Sequence, residues 1–140
     1  MVHYKKENIV IFDVTTDKIF RYMNTGNHQH RSFKSHKLIG VSGNVVTVNA
    51  EIYNPDGTTF NTTIIHKLNP PKGIETTMKG GAFNGAVFTH AYTPMGDKTK
   101  VDLEGEFPTF PGMREADELR MIDEFFTEVF AEDKATLQKW

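Results

Sequence analysis

Two groups of residues in this chain have the types and spacing to do chemistry. The first joins a histidine-rich segment, Asn27-His28-Gln29-His30-Arg31-Ser32-Phe33-Lys34-Ser35-His36, to Asp133, a carboxylate set in an apolar stripe near the C-terminus. That segment holds three of the six histidines. Neutral imidazoles with a carboxylate and open positions bind ferrous iron or zinc. Without a metal the same groups form a His–carboxylate hydrogen bond. His36 and Asp133 are then candidates for general acid–base catalysis, because imidazole titrates near neutrality. The bland alternative is a polar loop, with Asp133 paired to a Lys or Arg. The second group is His66 and His90, each in the middle of an alternating segment. His66 shares a face with Phe60 and Ile64, and His90 with Phe88 and Tyr92. On a cavity wall, two imidazoles supply the few polar contacts of an otherwise apolar small-molecule site. Otherwise they face solvent or are core histidines bonded to backbone.

Asp133 owes its interest to the helix that must carry it. At about 100° per residue, residues 112–140 predict one long amphipathic helix. Leu119, Ile122, Phe126, Val129, Phe130 and Leu137 fall on one face, with Asp133 close to its centre, while Glu132 and Lys134 point elsewhere. An ionised carboxylate against hydrocarbon is costly unless it is paired, hydrogen-bonded or metal-bound. The helix therefore either closes a core around a satisfied Asp or lines a pocket. Upstream, residues 5–14 predict a strand. Thr15-Thr16-Asp17 and the spacing of Ile19, Phe20 and Met23 predict a short helix that Thr25-Gly26-Asn27 stops. Residues 28–35 read as a loop or a second short helix.

Six further strands are expected at 36–41, 45–53, 58–68, 74–78, 83–93 and 100–107, divided by turn signals such as Ser42-Gly43-Asn44 and Asn54-Pro55-Asp56-Gly57. In the last of them Val101, Leu103, Gly105 and Phe107 face inward. Lys79-Gly80-Gly81-Ala82-Phe83-Asn84-Gly85 lacks the Lys-Ser/Thr ending of a phosphate loop and reads as a mobile hairpin or bulge near a pocket mouth. Strands with helices at the ends indicate one α+β domain over residues 1–140. Its curved antiparallel sheet of about seven strands wraps the long helix, and the gap between them is a natural cavity.

Composition narrows the partners. A formal net charge of -2 offers no nucleic-acid footprint. No apolar run is long enough to span a membrane, so membrane insertion is not expected. The stretch from Met1 to Glu7 has no apolar signal-peptide core, so a cytoplasmic protein is expected. The absence of cysteine removes disulfides, thiolate metal sites and cysteine nucleophiles. Eleven Phe against four Tyr and one Trp suit a dense core or a lined cavity. Phe60, Phe83, Phe88, Phe107, Phe110, Phe126 and Phe130 are expected to converge on the sheet–helix gap.

The order strand, short helix, strands, long helix at this length resembles the START-like superfamily, also called SRPBCC or the helix-grip fold, over essentially the whole chain. The superfamily includes pollen-allergen-type proteins and polyketide cyclases. The resemblance implies a hydrophobic cavity between sheet and C-terminal helix, with lipids, sterols, hormones or polyketides as ligands. Val129-Phe130-Ala131-Glu132-Asp133-Lys134-Ala135-Thr136-Leu137-Gln138 is similar to the closing helix of the catalytic domain of Rieske-type oxygenases. That likeness implies Asp133 as the carboxylate of a two-histidine, one-carboxylate iron site, with His30 and His36 nearest to the histidine pair, one residue further apart than usual. Without cysteine the chain holds no Rieske cluster.

The expected function is therefore binding of a hydrophobic or aromatic small molecule, lipid, sterol or polyketide-like. The expected ligand-binding residues are Phe60, Ile64, His66, Phe88, His90, Phe107, Phe110, Leu119, Ile122, Phe126 and Phe130. No cofactor is expected unless iron or zinc sits at His30, His36 and Asp133. One alternative is an enzyme, either of the polyketide cyclase or dehydratase type or metal-dependent at those three residues. The other is a protein-interaction module without a ligand.

Overall fold

The computed structural model describes residues 1–25 and 29–140. The elements run β1 (Val2–Phe12), α1 (Thr16–Met23), β2 (Phe33–Ser42), β3 (Val45–Tyr53), β4 (Thr59–Asn69), β5 (Gly73–Lys79), β6 (Val87–Met95), β7 (Lys98–Phe107) and α2 (Glu115–Gln138), with a 3₁₀ turn at Gly81–Phe83. The seven strands form one antiparallel sheet in the order β1-β7-β6-β5-β4-β3-β2. The α+β, helix-grip expectation holds, with α2 lying over the inner face of the curved sheet. Alternation decides which side chains meet the helix. In β3, Val46, Val48, Ala50 and Ile52 are buried. In β7, Val101, Leu103 and Phe107 are buried, while Asp102, Glu104 and Glu106 point away. Among the described residues no helix is long and apolar enough to cross a membrane.

Several boundaries move, each for a local reason. β1 starts at Val2 rather than residue 5, because Val2 and Tyr4 already alternate inward against Phe107 and Gly105. β2 starts at Phe33 rather than residue 36, since Phe33 pairs with Ile52. Residues 81–83 are a 3₁₀ turn, so β6 begins at Val87 and not at 83. α2 starts at Glu115 because Arg114 is extended, with φ -73° and ψ 149°. The acidic residues of its first turn, Glu115, Asp117 and Glu118, suit the positive end of the helix dipole. The 28–35 segment forms no helix among its described residues. The stop at Thr25-Gly26-Asn27 and the first histidine of the segment, His28, fall partly or wholly outside the described residues.

The inward-facing Gly105 pairs with Phe88 of β6 and Tyr4 of β1. A Cβ there would collide with the Val87 carbonyl oxygen and with Phe88. The bare position lets the Phe88 ring lean along β7 and stack on Phe107, with centroids 5.4 Å apart and planes at 20°. Replacing Gly105 by Ala is therefore expected to destabilise the fold by about 1–3 kcal/mol, the usual effect of overpacking. A urea midpoint that does not fall would refute this account of the strand pair.

Candidate ligand cavity

Helix and sheet meet most closely at an aromatic wedge. Phe126 of α2 packs on Phe88 and Phe107, with ring centroids 5.0 and 5.5 Å away, and Phe83 closes the cluster at 6.5 Å from Phe126. Here the gap is filled. Toward the C-terminal half of α2 it opens into a chamber in which the space open to water centres is about 80 Å³. That is room for roughly half a dozen waters, or for a ring or two. Its walls come from the end of β1, the inner faces of β4, β5 and β6, from α1, from His30 and the start of β2, and from one side of α2.

The chamber gathers His30, His36, His66 and His90, four of the six histidines, together with Asp133, Tyr22, Tyr92 and Thr76. Two polar chains organise them. In the first, the Tyr22 hydroxyl donates to Asp133 Oδ1 at 2.8 Å, and His30 Nε2 lies 3.4 Å from the same oxygen. The other His30 nitrogen, Nδ1, is 3.0 Å from Glu132 Oε1, and Glu132 Oε2 accepts the Arg31 backbone N–H at 3.0 Å. Two successive carboxylates of α2 thus hold the buried His30 ring from both nitrogens. In the second chain, Thr76 Oγ1 bridges His66 Nδ1 at 2.8 Å and His90 Nε2 at 3.3 Å. Thr76 is fully buried between Ile74 and Met78 on β5.

Asp133 resolves the choice posed by its apolar stripe in both senses: it is satisfied, and it lines a chamber. The metal set is a different matter. His30 reaches Asp133, but the Phe33 ring stands beside both histidines, 5.0 Å from His30 and stacked at 5.6 Å on His36. Among the described residues no group of three or more potential ligands converges as a metal site. His30, His36 and Asp133, the expected metal ligands, all line the one chamber but do not converge as such a group.

Of the residues expected to bind ligand, Ile64, His66, Phe88, His90, Phe126 and Phe130 line the chamber. Phe107 and Ile122 are instead fully buried in the packed core, and Leu119 packs against that core. Phe60 and Phe110 border a separate outer groove. The chamber also uses Tyr22, Phe33, Thr76, Tyr92 and Phe125, which were not selected from the sequence. A signal existed for two of them. Tyr22 lies three residues after Ile19 on the same helix face, and Thr76 alternates with Ile74 and Met78. Glu132, expected to point away, is turned to use by His30.

Burial dominates the electrostatics. The His90 ring stacks on Phe88 at 5.4 Å and meets Phe130 edge-on at 5.3 Å. Desolvation pushes its pKa down to about 4, against the opposing pull of the Asp133 charge, so the ring is neutral at pH 7. Burial raises the Tyr22 and Tyr92 hydroxyls well above their ordinary range, and the negative charge of Asp133 acts in the same direction.

A pH dependence follows. Between the ordinary histidine value of 6.5 and about 4, the unfolded chain takes up a proton at position 90 that the folded chain refuses. Stability contributed by neutral His90 is thus complete above pH 6.5 and is lost as pH falls through that window, on the order of 3 kcal/mol in all. His66 and Asp133 are the titratable groups facing it. Urea midpoints at pH 7.5, 5.5 and 4.5 should show wild type losing stability relative to His90→Phe as pH falls. A pH-independent difference between the two would contradict the assignment.

No protein-family model matches the sequence, and a search of curated proteins finds no match. Solved structures do match in shape. TTHA0849 from Thermus thermophilus superposes with a TM-score of 0.82 at 12% identity, over 98% of this chain and 97% of that one. A START superfamily protein from Mycobacterium smegmatis gives 0.76 at 13% identity, over 99% of both chains. The ZhuI aromatase/cyclase from Streptomyces sp. R1128 gives 0.57 at 10% identity, over 97% of this chain and 88% of that one. Element order, sheet topology and these superpositions agree: the chain has the helix-grip fold of the START-like proteins.

Proposed function

We propose that this chain binds a neutral apolar or aromatic small molecule bearing a hydroxyl or carbonyl group, held in the chamber beneath α2. The observation that carries the reading is the pairing of aromatic walls with the His66–Thr76–His90 chain. A few fixed polar groups in an apolar concavity are what orient a small ligand. Neutrality follows from the charges. His90 is uncharged at pH 7, and the Asp133 carboxylate, already met by Tyr22 and His30, would repel an anionic head. A cationic head would have to displace those donors. One protein of the same fold is described as an aromatase/cyclase, and a polycyclic oxygenated molecule is of the class that such walls accommodate.

Thermal unfolding with three naphthalene derivatives whose head groups are neutral, anionic and cationic tests this. At concentrations near a hundred times Kd, 1-naphthol is expected to raise Tm by about 5 °C or more. 1-Naphthoate and 1-naphthylmethylammonium should give clearly smaller shifts. Equal shifts for the three, or none for 1-naphthol, would defeat the proposal. Thr76→Val, which leaves both imidazoles without their bridge, should reduce the 1-naphthol shift.

A further inference from the structure

The chamber is small, and it shares one wall with a second apolar concavity. On the far side of Phe125 lies an open groove of about 310 Å³ by the same measure, bordered by Ile52, Phe60, Phe110, Met113 and Met121. Phe125 lines both spaces. Its ring is half-buried and touches aromatic faces, Phe83 at 5.3 Å, Phe126 at 5.1 Å and Phe33 at 6.1 Å. A helical Phe has two accessible χ1 wells, and moving between them swings the ring past the preceding turn. The floor of the groove is Phe83, against which Phe60 and Phe110 pack edge-on at 6.0 and 6.1 Å. Gly81 lets the Phe60 ring lie directly over its Cα, since a Cβ there would enter that ring.

We infer that Phe125 is a movable partition, and that chamber and groove together form one elongated site. Its ligand is a molecule with a neutral oxygenated head and an extended apolar tail. The head sits among His66, Thr76 and His90, and the tail passes Phe125 into the groove. This rests on the proposed ligand class and adds the ligand's shape and the residue that selects for it. The occupant of the groove follows from continuity: the groove is apolar, it adjoins the chamber through a single side chain, and the chamber alone holds only a ring or two. A further concavity that shares His30, Phe33 and His36 with the chamber is completed by the polar Gln29, Lys34 and Ser35, which do not suit a tail.

Isothermal titration of the full chain with 4-ethylphenol and 4-octylphenol reads this out. The two share a neutral hydroxyl head and differ in tail length. The decisive quantity is the ratio of their affinities, compared between wild type, Phe125→Ala and Met113→Lys. Phe125→Ala, which removes the partition, should raise the preference for 4-octylphenol about tenfold. Met113→Lys, at an exposed position on the groove, should lower that preference at least threefold, and it decides the matter if the Phe125 variant fails to fold. A ratio unchanged in Met113→Lys would overturn the inference even if wild type prefers the long tail, since adsorption to any greasy surface gives such a preference. If 1-naphthol binds and the ratio does not respond, only the elongated site falls. If neither phenol nor 1-naphthol binds, the ligand reading falls and the elongated site with it.

Discussion

The height at which Phe126 rests on Phe88 and Phe107 governs the rest of the molecule. Three rings within 5.5 Å of one another hold the helix off the sheet by the thickness of an aromatic side chain. A close-packed interior has little tolerance for voids, so the space beyond this wedge must be either filled or built. In this chain it is built. His90, Phe130, Tyr92 and Thr76 rim an opening that the curvature of the sheet enlarges toward the C-terminal half of α2. Gly105 contributes from below, because a side chain there would keep the Phe88 ring from lying flat against Phe107.

Burying a carboxylate beside that opening ties distant parts of the chain together. Asp133 needs donors, and it takes them from Tyr22 on α1 and from His30 ahead of β2, more than a hundred residues away in sequence. Glu132 adds the Arg31 backbone and the second nitrogen of His30. A hydrogen bond to a charged group contributes about 1.5–3 kcal/mol, and leaving a buried partner unsatisfied costs more than the bond gains. The short helix and the start of β2 are therefore held to α2 by polar contacts as well as by packing. At the opposite end, the buried Glu118 accepts the Phe110 backbone N–H at 2.6 Å and fixes the loop that leads into the helix. Both ends of α2 are anchored through carboxylates, and its middle through rings.

How much of this the sequence disclosed depends on whether the governing interaction is local. Alternation in Lys98–Phe107 told inside from outside residue by residue, because a strand against a core repeats every two residues. Helical periodicity likewise placed Phe126, Phe130 and Asp133 on one face. It said nothing about position along the axis, and so it could not separate Phe126 and Phe130 at the chamber from Ile122 in solid core. Phe125 sits about 100° round from Phe126, at the flank of the stripe, and only the neighbouring Phe33 and Phe83 bring it to the chamber. The contacts of Glu132 and His30 arise from chain reversal over a hundred residues, which no window of the sequence contains. Phe33 illustrates the same point for the metal expectation. Three residues suited to iron line the same chamber, yet among the described residues they do not converge as a metal site, and the ring of a residue between the two histidines lies against both.

Thr76 has one proton to give, and that fact couples the two imidazoles it joins. When the hydroxyl donates to Nδ1 of His66 and accepts from Nε2 of His90, the far nitrogen of His66 carries a proton and that of His90 presents a lone pair. Rotating the hydroxyl so that it donates to His90 reverses both assignments. The chain of hydrogen bonds through two neutral rings can thus run in either direction with no movement of the backbone. The polarity of the two rings is therefore a property of the pair, and neither imidazole can exchange the position of its proton without the other and the hydroxyl between them following.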